Sequence, residues 1–307
     1  MDDRFDRGFH KDMLQEREWT FPGGSLYYQL KDGRVCITRF QGMAAEVVIP
    51  KELQGCPVCS LEKKAFLSKK HLRSVRLPEG IEAVGDWAFA HCDSLSEVIV
   101  PVRSISFGKA VFKNCRRLEK ISCDPPKEVA WLLAAGVTVF DADYLLDIRE
   151  AGSPEWLAKW DARLKAMLDA PETEGYSKQV LCGEEDYGST DLNAYKSNRR
   201  KERVRMAFLR LLHPMGCPKE LQDRLKSYLV DHTKGCPGEE AWQVIREERG
   251  TERDYYTLFA DLGCLTAENR NAILADLGED YPEMKAYFVG LEQTEDNLEA
   301  FFGGLEL

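Results

Sequence analysis

Residues 65–123 read AFLSKKHLRSVRLPEGIEAVGDWAFAHCDSLSEVIVPVRSISFGKAVFKNCRRLEKISC, in which Ala65-Phe66, Ala88-Phe89 and Val111-Phe112 recur every 23 residues. Apolar positions trail each copy in the same register: Leu72, Leu95 and Leu118, then Val75, Val98 and Ile121, then Leu77, Val100 and Cys123. A period of this length belongs to repeats that each add one short strand and a return turn to a stacked core. The pattern predicts a solenoid rather than a catalytic motif.

Within each LxxVxL run the named residues face the core and those between face out, because side chains alternate along a strand. Two outward rows follow, Val48, Arg76, Ile99 and Ser122 in one and Glu46, Ser74, Glu97 and Lys120 in its neighbour. Four strands at about 4.8 Å give a mixed surface roughly 15 Å wide. That is small for a stand-alone interface, which takes about 800 Å² per partner. Ahead of the repeats, Leu26–Leu30 and Val35–Phe40 flank Asp32-Gly33, a hairpin signature that predicts an N-terminal cap. Residues 47–66 read as a degenerate first repeat, with Ile49-Pro50 matching Leu77-Pro78 at a spacing of 28.

The stretches VVIPKELQGCPVCSLEKKAF and HLRSVRLPEGIEAVGDWAFAHCDSLSEVIVP resemble the BspA-type bacterial leucine-rich repeat family. Its pattern of Ala-Phe, Cys, Leu, an Ile/Val-x-Leu/Ile-Pro strand and an Ile-Gly turn is met by Phe89, Cys92, Leu95, Val98, Val100 and Pro101. Lys69 replaces the repeat Cys, Ser104 stands where Ile81 does, and Asp124 replaces the strand-end Pro, a decay toward a C-terminal cap. The resemblance implies a β-solenoid and a protein-binding role, and its well-known members are surface proteins.

Beyond the repeats the pattern turns helical. Ser153-Pro154-Glu155 is a helix start, Ser as N-cap and Pro in the first turn, and Trp156, Trp160, Leu164 and Met167-Leu168 then share one face. Helices are predicted around Val204–Leu212, Leu221–Leu229 and near 239–248, 252–262, 267–277 and 282–291. Short breaks at Gly216-Cys217, Gly235-Cys236 and Gly263-Cys264 favour antiparallel neighbours, with each Gly in the left-handed conformation and each Cys packing back on its helix. The stretch from Gly263 to Leu291 resembles the helical-hairpin tails of some bacterial repeat proteins, without the ankyrin Thr-Pro-Leu-His signature. Residues 171–198, rich in Gly, Ser, Asp, Glu and Tyr, read as a long loop of the kind that is functional or disordered. The reading is an α+β two-domain chain: an N-terminal segment 1–19, a short leucine-rich-repeat β-solenoid with a hairpin cap over 20–147, and an all-α helical-hairpin domain over 148–307.

At 307 residues the chain has room for two domains of roughly 100 to 200 residues each. Its 42 basic and 52 acidic residues leave a net charge of -10, which opposes generic attraction to nucleic acid or anionic membranes. The opening MDDRFDRGFHKDMLQERE has no apolar signal core, and nowhere do about 18 apolar residues run together, so no membrane insertion is expected. A cytoplasmic chain is the reading, with a surface location open to one whose signal had been removed. Most of the ten cysteines in a chain of this size read as reduced thiols acting as small hydrophobes, Cys92 and Cys115 among them as rungs of the core.

Cys56-Pro57-Val58-Cys59 is a lone CxxC, open to a thiol redox or zinc role but lacking a second half, and falling where the repeat calls for turn residues. Lys196, Arg199, Arg200, Lys201, Arg203 and Arg205 form one dense basic cluster that could grip phosphates. Glu184, Glu185, Asp186 and Asp191 just before it offer local compensation instead. Five histidines are scattered, and Cys182 with His213 or His232 is the one nucleophile-base pairing left open. Walker, GxGxxG and HExxH motifs are missing, so no cofactor is implied. The expected function is a non-enzymatic protein-protein interaction module. Its candidate partner-binding residues are Arg76, Ile99, Glu97 and Lys120 on the strand face, Tyr187 in the long loop, and Arg199 and Arg200 in the basic cluster. The alternatives are a nucleic-acid-associated protein using residues 196–205 and a thiol redox or zinc protein using Cys56 and Cys59.

Overall fold

Three antiparallel strands open the structure, a computed structural model that describes residues 15–176 and 191–291. They are β1 (Arg17–Phe21), β2 (Gly24–Lys31) and β3 (Arg34–Gly42). The β2–β3 turn falls on Asp32 and Gly33, at φ 52° and 73°, the left-handed pair that a two-residue hairpin needs. Strand β1 lengthens the predicted hairpin into a meander: Pro22-Gly23 closes it, with Phe21 opposite Gly24.

Strand β3 is where the meander becomes a solenoid, because it runs antiparallel to β2 and parallel to β6 (Cys56–Leu61). From there one sheet continues in parallel through β8 (Ala83–Val84) to β10 (Ser106–Phe107). A second, four-stranded parallel sheet stacks β4 (Glu46–Val48), β7 (Ser74–Arg76), β9 (Glu97–Pro101) and β11 (Lys120–Asp124). Its register sets Val47, Val75, Val98 and Ile121 side by side, the ladder that the period predicts.

Five extra residues in the first repeat are taken up outside both ladders. Strand β5 (Glu52–Leu53) folds back on β6 around Gln54 and Gly55, at φ 53° and 74°. This overturns one expectation: Cys56 and Cys59 lie on a strand, not in a turn, and the bulge where β6 meets β3 buries Val58 and Cys59 together.

A file of stacked rings runs along the successive turns. Trp19, Phe21, Phe40, Phe66, Phe89 and Phe112 follow one another at centroid spacings of 5.0–6.1 Å. The thiols of Cys92 and Cys115 donate to the carbonyls of Phe66 and Phe89, each at 3.0 Å, so each cysteine serves the turn before its own. At the far end α1 (Ala130–Thr138) packs on β11, buried along nearly its whole length. Helix α2 (Pro154–Asp169) starts as predicted, with Ser153 Oγ accepting from Trp156 N at 3.1 Å. Its Trp156 and Trp160 donate to the carbonyls of Leu145 (2.9 Å) and Leu132 (2.8 Å). Lys127 Nζ gathers the carbonyls of Ile148, Arg149 and Ala151 within 3.0 Å, closing the cap.

The chain divides into two compact units, residues 1–163 and 164–307. In the second, α3 (Leu192–Leu212) packs on α4 (Lys219–Asp231), α5 (Glu240–Glu248) and α6 (Arg253–Asp261); α7 (Arg270–Leu277) and helical residues 282–291 follow. Helix α3 begins inside the stretch read as a loop, because Asp191 caps it by accepting from Asn193 N at 2.8 Å. Gly216, Gly235 and Gly263 have φ of 61°, 79° and 77°, and Cys217, Cys236 and Cys264 behind them are buried as expected. Arg210, wholly buried, turns back at the end of α3 to bond the carbonyls of His213 and Met215. Trp242, Tyr256, Phe259 and Phe288 make the aromatic centre of this unit.

Candidate interaction face

The four-stranded sheet turns one side to the core and one side outward. Strand register places Val48, Arg76, Ile99 and Ser122 in one outward row and Glu46, Ser74, Glu97 and Lys120 in the next, so four of the predicted partner-binding residues share one face. Much of that face is engaged with itself. Arg76 Nη1 reaches across β9 to Asp124 Oδ2 at 2.9 Å, Ser122 Oγ bonds Glu97, and Lys120 Nζ sits 4.4 Å above the ring of Trp131. The β4 side is bare. Val48 is 64% exposed and Met43, just ahead of the strand, 65%. Past the carboxyl ends of the strands, Glu79, Pro101, Arg103 and Asp124 help line a shallow groove of about 550 Å³. Arg103 Nη1 braces it by donating to Glu79 O at 2.7 Å.

Tyr187, Cys182 and the acids Glu184, Glu185 and Asp186 lie outside the described residues. Arg199 and Arg200 lie on α3 in the second unit, and among the described residues the basic cluster they belong to is compensated by acids distant in sequence as well as by one on its own helix. Arg200 bonds Glu172 at 2.9 Å and Glu240 at 2.7 Å, Lys201 bonds Glu247 at 3.0 Å, and Arg205 grips both oxygens of Glu248. Arg199 pairs with Glu202 on its own helix at 2.9 Å, and buried Arg203 donates to Ala170 O. The carboxylates come mostly from α5, because packing across two helices brings its acidic row against the basic one. Burial pushes the Glu240 carboxyl up, but Arg200 beside it more than offsets this and holds it below the usual carboxylate range. Cations held this way are poor phosphate ligands.

The thiols are equally committed. Burial pushes Cys92 up to about 11 and Cys115 up to about 12, with Cys264 at about 11 and Cys236 at about 12 in the helical unit. Among the described residues no cysteine is in a disulfide and no group of three or more His, Cys, Asp or Glu side chains could hold a metal ion. His232 sits at the end of α4, its Nδ1 2.8 Å from Tyr228 O and its ring stacked on Tyr228, and His213 ends α3. Alkylation with iodoacetamide at pH 8, followed by peptide mapping, is therefore expected to label half-buried Cys56 at least about a hundredfold faster than Cys92 or Cys115 in the native state. Equal native rates would show the core ladder to be open.

A four-stranded parallel sheet and a second sheet that is parallel from β3 onward, joined turn by turn, define a leucine-rich-repeat solenoid. Residues 45–130 match the BspA type leucine rich repeat region, in six copies, and the N-terminal half of the chain carries that family's repeats. Among curated proteins none matches. A leucine rich repeat protein of T. pallidum is 25% identical, over 34% of this chain and 48% of its own, with a TM-score of 0.28. A leucine rich cell surface protein of Faecalibacterium prausnitzii is 23% identical over 36% of this chain and 30% of its own, TM-score 0.30. A leucine-rich repeat protein of Bacteroides capillosus is 23% identical over 37% and 91%, TM-score 0.31. This chain spans about half the length of the first and under a third of the second. No helix among the described residues is long and apolar enough to cross a membrane.

Proposed function

We propose that the chain is a non-enzymatic protein-interaction module whose repeat unit presents the outward face of the four-stranded sheet to a protein partner. What supports this reading is the bare β4 side of that face, where Val48 is 64% exposed, while Arg76, Ser122, Glu97 and Lys120 in the same rows are engaged by other side chains. Exposed apolar side chains rimmed by polar ones mark interaction sites. Partner contact at Arg76, Ile99, Glu97 and Lys120 is part of the proposal. Arg199 and Arg200, held by Glu202, Glu172 and Glu240, contribute less to it.

Site-directed photocrosslinking tests it. A benzophenone side chain at position 48 or 99 is expected to capture the same discrete partner from cells of the native organism, and one at exposed Lys159 on α2 is not. Val48→Asp should abolish capture from position 99. Identical adducts from all three positions would remove the sheet face from consideration.

A further inference from the structure

The solenoid has a second outward surface, made by the three equivalent connections that lead from one sheet to the other: residues 62–73, 85–96 and 108–119. Backbone hydrogen bonds hold them in step, Lys64 N to Asp86 O at 2.9 Å, Trp87 N to Lys109 O at 3.0 Å, and His91 N to Lys113 O at 2.8 Å. Together they carry nine Lys and Arg against four Asp and Glu, in a chain whose net charge is -10. Of those nine cations, Lys113 alone has a salt bridge among the described residues, at 2.9 Å to Asp141. Among the acids, Glu62 is engaged by Lys31 at 2.8 Å and Asp86 by the backbone N–H of Lys109 at 2.6 Å. On α3, by contrast, four of the seven Lys and Arg have a carboxylate among the described residues.

Charge is arranged in ridges. The first connection presents Lys63, Lys64 and Lys70, and the third Lys109, Arg116 and Arg117, while the middle one has no Lys or Arg. The middle one has Trp87, 45% exposed, with Lys64 Nζ 5.5 Å from its ring centre. Lys64, Trp87 and Ala110 occupy the same place in successive turns, at φ of 62°, 59° and 50°. The fold thus demands a left-handed residue there, and a bulky one is the most strained choice. An indole left 45% exposed at a strained position leaves much of its ring free for a partner.

We propose that this surface docks an acidic polypeptide segment in extended conformation, carboxylates on the two basic ridges and an apolar side chain on Trp87. The spacing suits a polypeptide. Outer turns two steps apart at about 4.8 Å per step are separated by about 10 Å, the reach of three residues of extended chain. The middle turn also argues against a nucleic acid, whose phosphates would cross Asp86 and Asp93, whereas a peptide can place an uncharged residue at that point.

The test uses the full chain and a fluorescein-labelled heptapeptide, EDEFEDE, followed by fluorescence anisotropy. Binding should weaken with added salt, and Lys63→Glu/Lys64→Glu or Arg116→Glu/Arg117→Glu should each lower affinity by about tenfold. Trp87→Gly should lower it about fivefold through the lost ring contact. That variant keeps the fold, since glycine accepts the left-handed conformation, and its melting temperature is the check. Lys159→Glu, on α2 outside the three connections, should change nothing. The proposal is overturned if the peptide does not bind, if the charge reversals leave its affinity intact, or if oligothymidylate or phosphatidylserine vesicles bind more tightly than the peptide.

Discussion

Gly85→Ala is expected to destabilise the chain by about 3 kcal/mol, at the upper end of what overpacking a well-filled interior costs. A Cβ there would lie 2.5 Å from Lys63 N and 2.7 Å from Glu62 C, both backbone atoms that cannot swing aside. Gly108, one repeat on, is as tight, its Cβ position 2.5 Å from Asp86 N. These two glycines are where consecutive turns touch without side chains between them, so one methyl group must part the whole ladder. Urea unfolding followed by circular dichroism would measure the effect. Gly33→Ala is the comparison: it has open space but φ 73°, so it is expected to lose only about 1 kcal/mol from backbone strain. Equal losses at the two positions would mean that close approach is not what Gly85 provides.

Trp242→Ala is expected to cost about 4 kcal/mol, the usual range for deleting a buried aromatic ring being 3–5. The indole is fully buried, packs against Tyr256, Phe259 and Phe288, and donates from Nε1 to Asp276 Oδ2 at 2.8 Å. Removing it opens a cavity and leaves Asp276 with Arg246, 3.0 Å away, as its remaining charged neighbour. Trp242→Phe retains much of the packing and loses the hydrogen bond, so about 1–2 kcal/mol is expected. Thermal unfolding of the two variants separates the terms. A phenylalanine variant as unstable as the alanine one would put the weight on the Asp276 bond rather than on the ring.

The repeats were legible because one residue in two along each strand is forced inward, and the same inward residues return with every turn. From Val75, Val98 and Ile121 alone the outward rows could be written down, and the strand register reproduces them. Helices α4 to α6 were legible for a related reason, since each buries one face and leaves a periodic stripe. Helix α1 was not: AWLLAAGVT is buried nearly all round, so no polar face remains to betray the period. The acids that neutralise α3 were missed because they are close in space and distant in sequence, Arg205 and Glu248 being an instance. Cys56 and Cys59 were placed in a turn because the first repeat was aligned without its inserted hairpin. The interaction face was readable as a surface, while Trp87 was hidden inside a pattern that seemed already explained.

The hairpin at Gln54-Gly55 shows how this fold accommodates length. Strand β4 pairs with β7 at an offset of 28 residues where later neighbours pair at 23, yet Val47 still stands beside Val75 as Val75 does beside Val98. The surplus leaves the stack sideways, and a side chain at Gly55 would meet nothing within 4 Å. Grafted sequence at this tip would be carried on two short antiparallel strands without disturbing a single rung. The protein thus has, beside its proposed binding faces, a built-in port for a displayed peptide or a label.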